Sequence, residues 1–169
     1  VAAMKHMVDD FAVYARQPRP GQMQPVDLKA LLLDVLALYD NLRPHVVLTL
    51  PDAPVLVQGE PTRLRQVLHN LLQNAIDAQA DRADASYAIA VEARGGEAIL
   101  EVSDNGPGFP ADVIDHAFEP YVTTKPKGTG LGLAIVRKIV DEHAGRVAIA
   151  NRAPHGARVT VALPLAARA

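Results

Sequence analysis

Two glycine clusters and one polar helical face are the parts of this sequence equipped for chemistry. Asp104-Asn105-Gly106-Pro107-Gly108 forms the first cluster and Gly128-Thr129-Gly130-Leu131-Gly132 the second, with Lys125 and Lys127 between them. Glycines this dense let a ligand come close to main-chain N–H groups. The second cluster runs directly into residues 133–140, an apolar stretch without glycine that is predicted to be helical. A glycine turn entering a helix gathers unpaired N–H groups and the positive end of the helix dipole at one place, which suits phosphate. The third feature lies on a predicted helix over residues 61–80. Its apolar set is Leu64, Val67, Leu68, Leu71, Leu72, Ala75 and Ile76, and Asn70, Asn74 and Asp77 fall together on another face. Buried amides require partners, so this polar set fits either a solvated face or a polar site. His69, on the same helix, has no second histidine or carboxylate at ligand spacing.

Neither common phosphate loop fits. The Walker A pattern G-x-x-x-x-G-K-[ST] is absent, and Gly128, Gly130 and Gly132 are spaced two apart, unlike the dinucleotide fingerprint G-x-G-x-x-G. The boxes instead resemble those of the ATP-binding catalytic domain of bacterial sensor histidine kinases, within the gyrase/Hsp90/MutL group. Residues 104–109 resemble its first glycine box, Phe118-Glu119-Pro120-Tyr121 its phenylalanine box, residues 128–133 its second glycine box, and Asn70, Asn74 and Asp77 its asparagine box. The resemblance covers roughly residues 26–164. It implies that Asp104 accepts a hydrogen bond from the exocyclic amine of adenine, with Gly106 and Gly108 leaving room for the base. Asn74 would bind Mg²⁺ through its side-chain oxygen, and Asp77 would orient the metal–phosphate shell. Lys125, in a Thr-Thr-Lys pattern, would reach the β- or γ-phosphate, and Gly128, Thr129, Gly130, Leu131, Gly132 and Leu133 would line the phosphates. Residues 109–127 would form a lid anchored by Phe118 and Tyr121. Gly156 resembles the third glycine box, with Ala157 where a threonine often follows. The implied cofactors are ATP and Mg²⁺, and the implied reaction transfers the γ-phosphoryl group to a histidine, with Asn70 and Lys125 as the catalytic pair. ATP-hydrolysing clamps of the same fold carry a glutamate where Asn70 stands. An amide cannot take a proton from water at neutral pH, which favours a kinase over that alternative. A non-catalytic nucleotide-sensing domain is the third reading.

The elements that must hold these residues follow from spacing. Leu28, Leu31, Leu32, Val35, Leu36 and Tyr39 make the buried side of one helix. Residues 46–50 and 55–57 read as strands around Pro51-Asp52, residues 87–94 and 98–104 as a hairpin about Gly95-Gly96, and residues 146–150 and 157–163 as two closing strands. Mixed strands and helices with hairpins predict an α/β (α+β) two-layer sandwich: a mixed, mostly antiparallel sheet covered on one face by three helices, with ATP between the helices and the lid. Near the start, Met4, Val8, Phe11 and Ala15 form an apolar helical stripe, and Pro18, Pro20, Gly21 and Pro25 interrupt the chain. The resemblance assigns residues 1–17 to the second helix of a dimerisation and phosphoacceptor hairpin, 18–25 to a linker and 26–169 to the catalytic domain. The stretch VDDFAVYARQPRP is similar to nitrogen-regulation sensors of the NtrY and NtrB kind. His6 is followed by Met7 rather than an acidic residue, so the acceptor histidine is expected upstream, and the chain is expected to bind ATP without phosphorylating itself.

At 169 residues and 49% apolar, the chain can bury one full domain core with a short appendage. The net charge of −2 carries no basic block, which excludes an electrostatic case for nucleic acid. The absence of cysteine excludes disulfides and thiolate metal sites and fits a reducing compartment. No apolar run reaches the roughly 18 residues of a membrane-spanning helix. A cytoplasmic location is expected, as the cytoplasmic part of a membrane-anchored sensor. The implied partners are the protein's own phosphoacceptor hairpin, in a homodimer, and a cognate response regulator.

Overall fold

The computed structural model describes residues 23–79, 83–119 and 132–166. In chain order the elements are β1 (Gln24–Asp27), α1 (Leu28–Leu36), a 3-10 turn (Arg43–His45), β2 (Val46–Thr49), β3 (Leu56–Gly59), α2 (Pro61–Asp77), β4 (Tyr87–Arg94), β5 (Glu97–Asp104), α3 (Ala111–Ile114), α4 (Gly132–Glu142), β6 (Arg146–Asn151) and β7 (Ala157–Pro164).

Local chemistry starts each long helix. Asp27 caps α1 by accepting from the Lys29 N–H at 3.1 Å, and the same oxygen takes the Val55 N–H at 3.1 Å, so one carboxylate joins the helix start to the approach to β3. Glu60 caps α2 through both oxygens, accepting from Thr62 and Arg63 N–H groups at 3.0 Å, and Pro61 occupies a first-turn position where no N–H is needed. The expected apolar faces are buried: Leu28, Leu31, Leu32, Val35 and Leu36 on α1, and Leu64, Val67, Leu68, Leu71, Leu72 and Ala75 on α2. They pack with Ile135 and Ile139 of α4 and with Ile89, Leu100 and Val161 of the sheet in one core.

Five strands run in the order β2-β4-β5-β7-β6; β2 is parallel to β4 and every other pair is antiparallel. That is the mixed, mostly antiparallel sheet expected. The β4–β5 turn uses Gly95 and Gly96 at φ 61° and 81°, the two successive positive values that a tight hairpin demands. A separate two-stranded ladder pairs β1 with β3, Val26 opposite Val57. Its first strand begins at Gln24, so the last two residues of the expected linker are strand, and Pro25 is accommodated on an edge.

Tyr39 lies beyond the end of α1, half-buried rather than on a helical face, with its hydroxyl 2.9 Å from Nδ1 of His69. This is the contact that occupies His69. Burial first, and then the Arg65 charge, press the His69 pKa below its usual 6.5. The unfolded chain therefore binds a proton near pH 6.5 that the folded chain resists. This contribution to stability is fully present above that pH and is lost as pH falls through it. Melting curves between pH 7.5 and 5.5 should show a steeper acid loss for the parent than for His69→Gln; parallel curves would refute the assignment.

Candidate functional site

β5 is flanked by β4 and β7 and ends at Asp104, opposite Tyr87 on β4. Asp104 is 5% exposed. Its Oδ1 accepts from the Gly106 N–H at 2.9 Å and from the Ala157 N–H at 3.3 Å. The backbone of Ala157 thus reaches the carboxylate directly, at the position where the family often carries a threonine. The Asp104 carbonyl takes the Arg152 guanidinium at 2.9 Å. Tyr87 feels the arrangement: burial, and after it the Asp104 charge, push its phenol above the ordinary value. Beside this carboxylate lies the end of α2. A Cβ added to Gly106 would come within 3.1 Å of Asp104 Oδ1 and Gln79 Cγ, and within 3.2 Å of the Ala78 carbonyl.

One helical turn back along α2, about 6 Å, is Asn74. Its Oδ1 lies 3.4 Å from where a Cβ of Gly132 would stand, and Gly132 is the first residue of α4. An amide oxygen is therefore held against Gly132, the first described residue of α4. From Asn74 the chain runs on to Ala78 and Gln79, which meet Gly106 beside the buried Asp104 carboxylate. Asp77 lies between Asn74 and Ala78, exposed, accepting from Gln73 Nε2 at 2.9 Å. Asn70 is turned to its own helix: Oδ1 accepts from Gln66 Nε2 at 3.3 Å, while Nδ2 is buried with no hydrogen-bond partner among the described residues. Among the described residues no three His, Asp or Glu side chains come together to hold a metal ion.

Residues 59–167 match the family of histidine kinase-, DNA gyrase B-, and HSP90-like ATPases. The chain belongs to that family. Within it, the solved catalytic domain of histidine kinase ThkA superposes with a TM-score of 0.75 at 32% identity, over 84% of this chain and 95% of that one. ThkA has also been solved in complex with the response regulator protein TrrA, a chain that matches at 26% identity and TM-score 0.77 over 98% of this one and 48% of that one. Among curated relatives, the C4-dicarboxylate transport sensor protein DctB of Pseudomonas aeruginosa is 41% identical over 95% of this chain and 27% of its own length. Nitrogen regulation protein NtrY of Azorhizobium caulinodans is 34% identical over 99% of this chain and 22% of its own length. The chain spans about a quarter of the length of these curated relatives. It is an ATP-binding catalytic domain of the sensor histidine kinase type.

In this catalytic domain Phe109, the first residue of the segment expected to form a lid, is tied to β6. Asn151 on β6 accepts from the Phe109 N–H at 2.7 Å and donates to its carbonyl at 2.9 Å, and α3 follows. Phe118 lies under the Arg137 guanidinium of α4 at 5.4 Å. Pro120, Tyr121, Lys125, Lys127, Gly128, Thr129, Gly130 and Leu131 lie outside the described residues, as do residues 1–22 with His6. Gly132 and Leu133 are the first described residues of α4, inside the expected helix. Sequence reasoning missed Gln79, Asn151, Arg152 and His155. Gln79 is 3% exposed and donates to the Ser86 carbonyl at 3.2 Å, and His155 Nδ1 stands 3.2 Å from the Gly106 carbonyl. Apart from Gln79, whose partner Ser86 is seven positions on, their partners are more than 40 positions away, and no local pattern signals them. Among the described residues no helix is long and apolar enough to cross a membrane.

Proposed function

We propose that this chain is the part of a two-component sensor histidine kinase that binds Mg-ATP and passes its γ-phosphoryl group to a histidine on a dimerisation hairpin. Residues 1–17 would be the second helix of that hairpin, 18–25 the linker and 26–169 the catalytic domain. The observation that carries the reading is the Asn74 amide oxygen lying against Gly132, the first described residue of α4, one turn of α2 from the residues that meet Gly106 beside the Asp104 carboxylate.

In this reading Asp104 accepts from the adenine amine, and Gly106 and Gly108 leave the base its space. The N–H groups opening α4 hold phosphate, with Gly128, Thr129, Gly130, Leu131, Leu133 and Lys125 completing the cradle. Asn74 fits Mg²⁺ because it offers a hard, neutral oxygen, and Mg²⁺ takes few protein ligands besides substrate phosphates. Asp77 orients the water and phosphate around it. When bound there, the ion would supply charge neutralisation at the transferred group. The P–O bond to the β-phosphate breaks as a P–N bond to an imidazole nitrogen of the hairpin forms, and the imidazole N–H proton passes to water. Asn70 and Lys125 stand at that step as positioning and charge-stabilising groups. Hydrolysis is disfavoured because Asn70 cannot deprotonate water. The partners are the protein's own hairpin in a homodimer and a response regulator; the setting is cytoplasmic, and the kinship with NtrY points to nitrogen regulation.

Incubation with γ-labelled ATP and Mg²⁺, separated under alkaline conditions that preserve phosphohistidine, tests the reading. The chain alone should stay unlabelled, and a separate hairpin bearing the acceptor histidine should become labelled when added. Phosphate release without any labelled band would identify a hydrolysing clamp instead, and a band lost in His6→Ala would place the acceptor in this chain. Calorimetry adds a second expectation. Asn74→Ala should remove the Mg²⁺ dependence of ATP affinity, a loss of about tenfold or more in the presence of the ion, while Asn70→Ala does less. An Asn74→Ala variant that still responds to Mg²⁺ like the parent would make the asparagine structural.

A further inference from the structure

α2 and α4 run antiparallel. Asn74 near the end of α2 meets Gly132 at the start of α4, and Arg63 near the start of α2 meets Glu142 at the end of α4, Nη2 to Oε2, at 2.5 Å. Both of these charged side chains are nearly buried, at 7% and 11% exposure. His143 follows at once and is 6% exposed. Its Nε2 accepts the Glu60 N–H at 3.1 Å, so its Nδ1 carries the proton and donates to the Ile139 carbonyl at 2.7 Å. Gly59 leaves the imidazole its space, since a Cβ there would stand 3.0 Å from His143 Cδ2. The remaining buried surface of the two helices is aliphatic: Leu64, Leu68 and Leu71 against Ile135, Val136 and Ile139.

We propose that Arg63, Glu142 and His143 are positioning residues that set the axial register of α4 on α2, and thereby hold Asn74 against the phosphate-binding end of α4. The inference rests on the function proposed above. Aliphatic surfaces tolerate sliding, whereas an ion pair and a doubly bonded imidazole accept one register. Net stability does not account for them: replacing a buried ion pair by apolar residues of similar volume is often neutral or stabilising, and fixing registry is the best-attested use of such groups. A slip of one residue displaces a helix by about 1.5 Å, and misplacing reacting groups by about 1 Å can cost on the order of 100-fold in rate.

The test is the double variant Arg63→Met with Glu142→Met. It should melt at or above the parent temperature and bind Mg-ATP about tenfold or more weakly, with little change in affinity when Mg²⁺ is chelated. In proton–nitrogen correlation spectra of the nucleotide-free protein, the Asn74 side-chain amide and the Gly132 N–H should move or broaden, while mid-sheet amides such as Leu100 and Val161 stay in place. Parent-like signals for Asn74 and Gly132 in the double variant would overturn the inference whether or not nucleotide binds. Failure of the parent to bind Mg-ATP would instead strike the function proposed above, and the spectra would still decide the register. If the double variant does not fold, Glu142→Gln keeps the size and an acceptor, and its spectra and Mg-ATP affinity decide in the same way at smaller amplitude.

Discussion

Asp104→Asn should lower ATP affinity by about 10–100-fold while leaving the fold intact, since a hydrogen bond to a charged group contributes about 1.5–3 kcal/mol. Asparagine separates two roles that alanine would confuse. The Asp104 Oδ1 holds the Gly106 and Ala157 N–H groups, and deleting it would leave two buried donors unsatisfied. An asparagine oxygen can keep both. Its Nδ2 then stands where the second carboxylate oxygen was, and it donates where an adenine amine needs an acceptor. Guanine carries a carbonyl at that edge, so the variant should bind GTP better than the parent does. Calorimetry with both nucleotides measures the exchange of preference. Unchanged affinity for both would remove Asp104 from the base site.

Gly156→Ala should be the most damaging single methyl addition in the described chain. The residue has φ 119°, outside the range of L side chains, and its Cβ would stand 2.1 Å from the Asp104 carbonyl oxygen. Backbone strain of about 1–3 kcal/mol and overpacking of about 1–3 kcal/mol combine to roughly 2–6 kcal/mol. For a domain of this size that lowers the melting temperature by roughly 5–20 °C. Relief requires the chain at 156–157 to back away from β5, and that withdraws the Ala157 N–H from the carboxylate. ATP affinity should therefore fall along with stability. Gly96→Ala is the control: φ is 81° but nothing lies within 4 Å of the added carbon, so only the backbone term remains and nucleotide binding should be untouched. Equal melting of the two variants would deny any special tightness at Gly156.

What the sequence disclosed was what repeats or what is local. The apolar spacing of α2, the Gly95-Gly96 turn and the run from β5 into Asp104 are each written within a dozen residues, and each appears as expected. The placement of Asn74 beside Gly132 joins two boxes that could only be matched to a family pattern, because no periodicity relates positions 74 and 132. The pairing of β1 with β3 was hidden for the same reason, although residues 55–57 read as a strand on their own. His143 reads as filler along the chain, since its partner Glu60 is 83 positions away. The anchoring of Asp104 by Ala157 was invisible in another way: the donor is a main-chain N–H, which every residue but proline carries.

The strand order carries a consequence for how the protein is made. β7, last of the named strands, inserts between β5 and β6 rather than adding to an edge, and its first residue supplies a donor to the Asp104 carboxylate. Chains emerge from the ribosome amino end first. A nascent chain released only as far as β6 has Asn74, Asp104 and both glycine boxes outside the tunnel, yet its central strand β5 is unpaired on one side and the Asp104 carboxylate lacks its Ala157 donor. The last pairing of β5 and the Ala157 donor to Asp104 are therefore available only after β7 has cleared the exit.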